Sequence, residues 1–370
     1  MPGVVIGAPT RLERVRALLD AHDLDAVLLS RSAGKRWLSG FVVLRGEEGT
    51  SGYAGSLLVT RDRKLLLADA RYIEQAAIDA PEWELVRTTG SIDVELAALW
   101  PGLGVRRCGA EAEALSHGHW QAIAEAPPQV ELVAVDRELT ELRVIKDDAE
   151  QEAVARACAL TDRCFAHLLT IIRPGLTERQ IAWDIEDWFR ANGAESLAFD
   201  PLVLVGARAS MPHGHPSDTK VQAGKGLLID FGCQVDGYRS DMTRTVFVGE
   251  PDDEARRLYR LVADAQAAAF ARCAAGVPGT AIDAAAREMI TAEGFGEAFS
   301  HGLGHGIGLE THEAPSLRLD PGPLRAGMTF TLEPGIYLPG RIGIRIEDDV
   351  LLTQTGPRYL TSAPRDLIVV

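Results

Sequence analysis

The sequence predicts an α/β (α+β) protein of two domains, and three observations support this fold class. The chain has 370 residues, a length that favours two domains over one. Predicted strands alternate with predicted helices over roughly the first 130 residues, as in a self-contained α/β domain. Residues 141–172 then contain neither proline nor glycine and repeat apolar side chains at helical steps. We therefore place the domains at residues 1–140 and 141–370.

The predicted elements of the first domain begin with a helix after Thr10. Thr10 and Glu13 have the spacing of a capping box, and apolar residues recur at helical intervals behind them. Short buried strands are predicted at 26–29, 56–60 and 64–67, followed by a helix at 72–78.

The second domain contains a faint internal repeat. Residues 173–177 and 276–280 each place Pro-Gly just before a threonine that is predicted to cap a helix, Thr177 and Thr280. The two helices are predicted to end near Gly193 and Gly294. Because about a hundred residues separate the copies, far more than a solenoid repeat, the sequence predicts two similar halves of one domain.

Composition and charge disfavour several classes of partner. The net charge is −15, whereas nucleic acids and anionic membranes attract basic surfaces. The start of the chain does not resemble a signal peptide, and no run of about 18 apolar residues predicts a membrane span. The 5 cysteines include no CxxC pair, which indicates free thiols in a reducing compartment. We expect a cytoplasmic protein.

Cys233 lies near Asp230, and a buried strand residue is favoured there over a ligand or reactive thiol.

Four carboxylates and one imidazole are the candidate ligands of a metal site, each in a strand-like or glycine-flanked segment. They are Asp230, Asp241, His305, Glu333 and Glu347. Two divalent cations about 4 Å apart repel each other, and bridging carboxylates offset that repulsion. Without a cation the same carboxylates would repel one another and take up protons. Oxygen ligands with one imidazole suit manganese, cobalt or zinc, so the set indicates hydrolysis by metal-activated water.

Strand alternation predicts which side chains face that site. Leu228 and Asp230 share one face of their strand. In 342–347 the isoleucines share one face, and Arg345 and Glu347 share the other. An apolar face against helices and a charged face toward a cavity is the arrangement that a site on a sheet requires.

Glycines surround the histidines of residues 301–308, which favours backbone packed close to a site. The spacing is not that of a nucleotide-binding loop, and no H-E-x-x-H or G-x-S-x-G pattern occurs.

Four segments closely resemble the Xaa-Pro peptidases, the prolidase and aminopeptidase P group of metallopeptidases. They are residues 240–245, 301–313, 333–337 and 345–348. The resemblance covers about 145–370 strongly and the N-terminal part loosely, through 11–12, 38–41 and 69–72. It implies a creatinase-like N-terminal α/β domain. It also implies a C-terminal pita-bread domain, in which a curved antiparallel sheet with pseudo-twofold symmetry is covered by helices.

The resemblance implies a role for each candidate ligand. Asp230 would bind one metal, and His305 and Glu333 would bind the other. Asp241 and Glu347 would bridge both, and a hydroxide between the metals would attack the Xaa-Pro imide bond. Two divalent ions per chain are expected, manganese first, with cobalt or zinc compatible.

Further roles follow from the same resemblance. Glu333 would also shuttle protons, and His213 would stabilise the tetrahedral intermediate or handle protons. His312 would contact the substrate near the imide. His301 is expected to be a pocket residue, and Arg345 a partner that orients the carboxylates.

One departure concerns the length of the substrate. Some dipeptide-specific members carry an arginine four residues after the histidine that matches His312, and here that residue is Ser316. A dipeptidase needs a positive group for the substrate carboxylate, and Arg318 or Arg45 would serve. We predict an Xaa-Pro dipeptidase. One alternative is an aminopeptidase P-like enzyme for longer peptides. Another is an inactive binding protein on this scaffold, although the complete ligand set argues against it.

The remaining candidates are given structural interpretations. Tyr238 and Tyr337 are predicted to be strand aromatics, and His215 a loop residue. Trp37 is predicted to be half-buried, with a role in a partner's active site as the alternative. The expected partners are small proline-containing peptides and a second copy of the chain in a homodimer.

Overall fold

The structure is a computed structural model that describes residues 9–43, 55–320 and 322–370. The chain divides into two compact units, Met1–Arg143 and Val144–Val370. The sequence analysis places the domain boundary after residue 140, and the structural division lies after residue 143.

The first unit contains a mixed α/β arrangement. Its strands are β1 (Ala26–Leu29), β2 (Ser56–Thr60), β3 (Lys64–Ala68), β4 (Glu84–Arg87), β5 (Arg107–Ala110) and β6 (Glu131–Ala134). Its helices are α1 (Arg11–Ala21), α2 (Ser32–Ser39), α3 (Ile73–Asp79), α4 (Ile92–Leu103), α5 (His117–Glu125) and α6 (Asp136–Val144). Within the described residues, the strands form one sheet in the order β4-β3-β2-β1-β5-β6. The alternation of strands and helices predicted for this unit is confirmed.

Local sequence signals account for several boundaries in the first unit. The capping box before α1 is confirmed, since Thr10 Oγ1 accepts the Glu13 amide and Glu13 accepts the Thr10 amide. The predicted strands at 26–29 and 56–60 are confirmed to the residue. Trp37 is buried rather than half-buried, with the guanidinium groups of Arg14 and Arg11 at 4.9 and 5.4 Å from its ring centroid.

The second unit contains long helices and several short sheets. Its helices are α7 (Asp148–Ile171), α8 (Glu178–Ala191), α9 (Asp253–Arg272) and α10 (Gly279–Ala292). Its strands are β7 (Ser196–Leu197), β8 (Leu202–Val205), β9 (Lys225–Phe231), β10 (Cys233–Val235), β11 (Tyr238–Arg239), β12 (Met242–Val248), β13 (His305–Gly306), β14 (Glu313–Ser316), β15 (Thr329–Leu332), β16 (Gly335–Leu338), β17 (Ile342–Arg345), β18 (Asp348–Thr353), β19 (Gly356–Tyr359) and β20 (Ile368–Val369). In the described part of this unit, the sheet orders are β11-β10-β7, β20-β12-β9-β8, β14-β13-β15-β18-β19 and β16-β17.

The second unit is built from two halves, each with its own apolar core. One core packs α7 and α8 against β8, β9 and β12. The other packs α9 and α10 against β15, β16, β17 and β18. Ile344 and Ile346 point into the second core, which leaves Arg345 and Glu347 on the opposite face as strand alternation predicts. Two similar halves in one domain are therefore observed, as the repeat predicts.

Matching turns precede α8 and α10. Gly175 and Gly276 have φ angles of 97° and 88°, a region that glycine enters without steric cost. The Gly175 amide donates to Val221 O at 3.0 Å, and the Gly276 amide donates to Leu324 O at 2.8 Å. These two glycines are therefore structural equivalents.

The predicted cap of the second repeat helix is wrong. Thr177 caps α8, because its hydroxyl accepts the Gln180 amide at 3.1 Å. The equivalent residue before α10 is Pro278, and Thr280 lies inside that helix. An alignment on the Pro-Gly pairs matches Gly175 with Gly279. In the structure Gly175 instead matches Gly276, which lies three residues earlier.

Among the described residues, every helix is too short or too polar to cross a bilayer.

Gly343 brings β17 close to the turn at Gly206–Ser210. A Cβ atom on Gly343 would lie 1.8 Å from Ala209 O. Gly343→Ala is therefore expected to lower the free energy of unfolding by about 3 kcal/mol, at the upper end of the usual cost of overpacking, because backbone has to move. Urea unfolding followed by circular dichroism measures the change.

Gly102→Ala is the control for that substitution, because a Cβ there meets no described atom within 4 Å. It is expected to change the unfolding free energy by less than about 0.5 kcal/mol. Similar losses in the two variants would contradict the steric explanation.

Candidate metal centre

The five predicted ligands come from both halves of the second unit. Asp230 lies in β9, and Asp241 immediately precedes β12, the neighbouring strand. His305 lies in β13. Glu333 follows β15, and Glu347 lies between β17 and β18. Each half thus contributes two carboxylates, and the second half adds the imidazole.

These side chains converge on one cavity. Asp241, His305 and Glu347 each offer a ligand atom, and the three atoms lie within 4.8 Å of one another. His305 Nε2 is 3.4 Å from Glu333 Oε1 and 3.8 Å from Asp241 Oδ2. Asp230 is close enough for its carboxyl group to interact with that of Asp241. Residues separated by up to 117 positions, from 230 to 347, therefore form one group.

The cavity has a volume of about 420 Å³ and lies wholly within the second unit. All five predicted ligands line it. Its other lining residues include His213, His301, His312, Ser316 and Arg345, together with the apolar side chains Phe199, Leu202 and Pro212. A cavity lined by both charged and apolar side chains suits a small ligand that carries both a polar bond and a hydrocarbon ring.

Burial makes the carboxylate cluster costly in the absence of a cation. Burial raises the pKa of Asp241 and of Glu347 well above the usual range, and the neighbouring carboxylates raise both further. Burial also raises the pKa of Glu333 to about 8 and that of Asp230 above its ordinary value, although Arg345 opposes both shifts. A cation among these groups would reverse the effect by favouring their charged forms.

His305 is held in the tautomer that suits a metal ligand. Its Nδ1 is 3.0 Å from Gly306 O, so Nδ1–H donates to that carbonyl and Nε2 carries the lone pair. Burial, followed by the neighbouring His312, lowers the pKa of His305 to about 4, so the ring is neutral at pH 7. The Nε2 lone pair lies on the side of Asp241 and Glu333.

Unpartnered buried oxygens test whether these donors fit a cation. Within the described residues, Asp230 Oδ1 and Asp241 Oδ1 are buried and have no hydrogen-bond partner. An unsatisfied buried polar atom costs on the order of 1–3 kcal/mol, and coordination of a cation would supply the missing interaction. Four carboxylates with one neutral imidazole are donors that manganese, cobalt and zinc accept. The residues present therefore fit divalent cations.

Arg345 links several groups of the site. Its Nη2 donates to Asp230 Oδ2, its Nε donates to Thr243 Oγ1 at 2.8 Å, and its Nη1 donates to Tyr337 Oη at 2.8 Å. The Tyr337 hydroxyl is in turn 2.8 Å from His301 Nε2, and His301 Nδ1 is 2.7 Å from Gly302 O. This chain of contacts orients Asp230 and places His301 at the cavity wall.

Three side chains behind the ligands were not among the predicted site residues. Thr243 Oγ1 donates to Glu347 Oε2 at 2.6 Å. Asp349 Oδ2 accepts the Asp241 amide at 2.9 Å. Tyr337, interpreted as a strand aromatic, carries the hydroxyl between Arg345 and His301. Alternation along β12 would have found Thr243, which follows Asp241 by two residues, but no local pattern marks Asp349 or Tyr337.

The other predicted site residues have different locations. His213 and His312 line the cavity, and the His312 and His305 ring centroids are 4.3 Å apart. Ser316 also lines it. Arg318 is exposed, and its Cβ lies beside Gly302. Arg45 lies outside the described residues.

The structural interpretations of two other residues agree with their contacts. Cys233 is buried, with its Sγ 3.7 Å from the hydroxyls of Thr161 and Ser240, and burial raises its pKa to about 11. Tyr238 is buried in β11 and donates to Glu150 Oε1 at 2.6 Å. Both side chains contribute to packing.

Comparison with known proteins gives matches over almost the whole chain. Residues 152–354 match the model of metallopeptidase family M24, and residues 11–145 match that of the creatinase/prolidase N-terminal domain. The uncharacterized peptidase YqhT of Bacillus subtilis is 36% identical over 361 residues, which cover 97% of this chain and 100% of the relative.

Two solved structures are similar in fold and sequence. The Xaa-Pro dipeptidase from Bacillus anthracis has a TM-score of 0.91 and 37% identity, with 97% of this chain and 99% of that chain covered. The X-Pro aminopeptidase from Thermotoga maritima has a TM-score of 0.88 and 36% identity, again with 97% and 99% covered.

Proposed function

The chain belongs to metallopeptidase family M24, and on that premise we propose that it hydrolyses the Xaa-Pro bond of dipeptides in a metal-dependent reaction. The observation that carries the proposal is the convergence of Asp230, Asp241, His305, Glu333 and Glu347 on one cavity. The unpartnered buried oxygens among them support it. The similarity to the dipeptidase of Bacillus anthracis points to the same bond.

The ligands and the groups around them divide the chemical work. Asp230, Asp241, His305, Glu333 and Glu347 would hold two divalent cations. Bound there, these cations would activate water and polarise the scissile carbonyl. Glu333 is proposed to carry the proton from the attacking water to the proline nitrogen, which has to be protonated to leave as an amine.

Histidines at the cavity wall are proposed to act on the substrate. His213 and His312 line the cavity beside the ligands and would donate hydrogen bonds to the carbonyl oxygen as charge develops there. His301 and Arg345 are proposed to position the substrate and Asp230. Burial, followed by His213, lowers the pKa of His312, so this ring is neutral at pH 7 and donates from one nitrogen only.

The proline ring of the proposed substrate accounts for the apolar side chains that line the cavity. An Xaa-Pro bond has no N–H, and the proline ring fixes its own backbone. The substrate therefore offers hydrocarbon where other peptides offer a donor. Phe199, Leu202 and Pro212 line the cavity and would offer such a ring an apolar surface.

The proposal also covers the metal, the cellular location and the oligomeric state. Manganese is proposed as the metal because the donors are mostly oxygen. A cytoplasmic location is proposed because all 5 cysteines are free thiols. A homodimer is proposed from the frequency of twofold symmetry among soluble oligomers.

A second candidate function is an Xaa-Pro aminopeptidase acting on longer peptides. Two observations favour it, the similarity to the aminopeptidase of Thermotoga maritima and the serine at residue 316. The two functions differ in the length of peptide that they cleave fastest.

Activity on proline peptides before and after chelation tests the proposal. Metal-loaded enzyme is expected to cleave Ala-Pro and Gly-Pro faster than Ala-Pro-Phe, to lose activity in a chelator and to regain it when manganese is added. Faster cleavage of Ala-Pro-Phe would replace the dipeptidase by the aminopeptidase. Less than one bound metal per chain together with no turnover would favour an inactive scaffold.

A further inference from the structure

A second cavity adjoins the metal centre. It has a volume of about 790 Å³ and is lined by Arg208, Ser300 and residues 211–215 and 301. Pro212, His213 and His301 line both cavities, so the two spaces share a wall. A substrate held at the metal centre can therefore extend past His213 into the second space.

The two cavities differ in charge. Asp200 and the four ligand carboxylates line the metal cavity, whereas no carboxylate is among the described residues that line the second one. A peptide has a positive amino end and a negative carboxyl end. Two bound divalent cations would offset the four ligand charges, so Asp200 is the negative group that remains in the metal cavity, whereas Arg208 lines the second cavity. This difference favours placing the amino end at the metal centre and the carboxyl end in the second cavity.

Arg208 and Arg345 are the arginines among the described residues that line the two cavities. Arg345 is buried, and its three guanidinium nitrogens donate hydrogen bonds to Asp230, Thr243 and Tyr337. The side chain of Arg208 is 32% exposed. Arg208 is therefore the better placed of the two to meet a substrate carboxylate.

Hydrogen bonds to Glu178 and His215 hold the side chain of Arg208 in place. Its Nε donates to both carboxylate oxygens of Glu178 at 3.0 Å, and its Nη2 donates to His215 O at 2.7 Å. Glu178 is fully buried and also accepts the amides of Val205 and Ser217 at 2.8 Å. It thus ties together both ends of the loop that carries His213. The contacts described for Arg208 use Nε and Nη2, and Nη1 remains for a ligand.

We propose that Arg208 binds the C-terminal carboxylate of the substrate and so sets the length of peptide that this enzyme accepts. The proposal rests on the proposed Xaa-Pro hydrolysis and replaces Arg318 and Arg45 in this role. A guanidinium fixed by a buried carboxylate is already oriented, so it loses little conformational freedom when a second carboxylate binds.

Pairs of substrates with a free and an amidated carboxyl end test the role of Arg208. Release of alanine is measured from Ala-Pro and Ala-Pro amide, and from Ala-Pro-Ala and its amide. A third residue moves the C-terminal carboxylate of the substrate about 3.5 Å further along the peptide. The pair in which the acid is preferred more strongly therefore shows which peptide length places this carboxylate at the positive group. Wild-type enzyme is expected to favour the acid in at least one pair.

Arg208→Gln is expected to lower that acid-over-amide ratio on the order of 10- to 100-fold, the effect of losing one charge-assisted hydrogen bond. The amide substrate is an internal control, because damage to the loop at His213 would slow both members of a pair equally. Arg208→Lys keeps a charge beside Glu178 but lacks the planar fork, so the ratio is expected to fall by less. If the Gln variant does not fold, the Lys variant still allows the test, because its charge remains beside the buried Glu178.

Arg318→Gln removes the same charge from an exposed residue nearby and is expected to leave the ratio unchanged. Three outcomes would overturn the proposal: a wild-type ratio near one for both pairs, an unchanged ratio in the Arg208 variants, or a ratio that falls in Arg318→Gln instead. If wild-type enzyme loaded with metal cleaves none of the four peptides, the proposed hydrolysis itself is wrong.

Discussion

Asp241→Asn is expected to lower kcat/KM for Ala-Pro at least roughly 1,000-fold. Asp241 offers a ligand atom within 4.8 Å of those of His305 and Glu347, and it is proposed to contact both cations. A bound cation contributes several kcal/mol to a hydrolytic transition state, and each ~1.4 kcal/mol is a factor of ten in rate. Losing the bridging charge should remove that contribution. Steady-state kinetics with matched metal loading measures the loss.

Asp241→Asn is also expected to change the free energy of unfolding. The comparison with wild-type protein should differ between the metal-free and the manganese-bound forms, which separates an effect on metal binding from an effect on folding. Without a cation, the Asn side chain relieves repulsion with Glu347 and Asp230, so the metal-free variant should be at least as stable as metal-free wild-type protein. With manganese at 100 times its dissociation constant, wild-type protein gains about 2.7 kcal/mol in unfolding free energy. The variant should gain much less. Urea unfolding with and without manganese measures both differences.

Asp184→Asn is the matched control for Asp241→Asn. Asp184 lies on α8, is 38% exposed and pairs with His167 Nε2 at 2.7 Å. The control should retain both its activity and its stabilisation by manganese. Full activity in Asp241→Asn, or an equal gain from manganese in that variant and in wild-type protein, would contradict the assignment of Asp241 as a ligand.

Asp348→Asn is expected to lower the free energy of unfolding by about 3–5 kcal/mol, the usual cost of removing one partner of a buried ion pair. Asp348 is fully buried next to the ligand Glu347 but points away from the metal cavity. Its carboxylate accepts Arg244 Nη2 at 2.7 Å and Arg365 Nε at 2.8 Å. It also accepts Gln266 Nε2 at 2.9 Å.

Arg244 makes this loss large, because its side chain is only 1% exposed. It also donates to the backbone carbonyls of Thr243 and Glu347, at 2.9 and 2.6 Å. Without the Asp348 charge, a buried guanidinium beside the metal centre loses its nearest counter-charge. Chemical denaturation of metal-free protein measures the cost without a contribution from bound cations.

Asp236→Asn removes the charge of an exposed aspartate paired with an arginine and provides the comparison. Asp236 pairs with Arg156 Nη2 at 2.6 Å, and their side chains are 60% and 50% exposed. Asn also tolerates the φ of 51° at this residue. The expected loss is below about 1 kcal/mol, because solvent screens exposed pairs. If Asp348→Asn cost no more than this control, the Asp348 network would not stabilise the fold.

Structural features that depend on residues close in sequence could be predicted, and features that depend on distant contacts could not. The capping box of Thr10 and Glu13 needs only residues three apart, so its pattern is complete in the sequence. The alternation that separates Ile344 from Arg345 is equally local. The register of the repeat is not, because Thr280 carries the same local signal as Thr177. Only the equivalence of Gly175 and Gly276, whose amides donate to Val221 O and Leu324 O, shows that Pro278 is the residue before the helix.

The sequence by itself determined the strands at 26–29 and 56–60, the alternation of faces along 342–347 and the choice of five candidate donors, because these depend on side-chain type and short spacing. The tertiary structure decided which distant groups meet. Glu178 is 30 residues from Arg208, and Asp348 is 104 residues from Arg244, and neither pair has a local signal. A buried charge must find a partner wherever the chain brings one within hydrogen-bonding distance. That partner is set by how distant elements pack together, and no pattern within a single strand or helix specifies it.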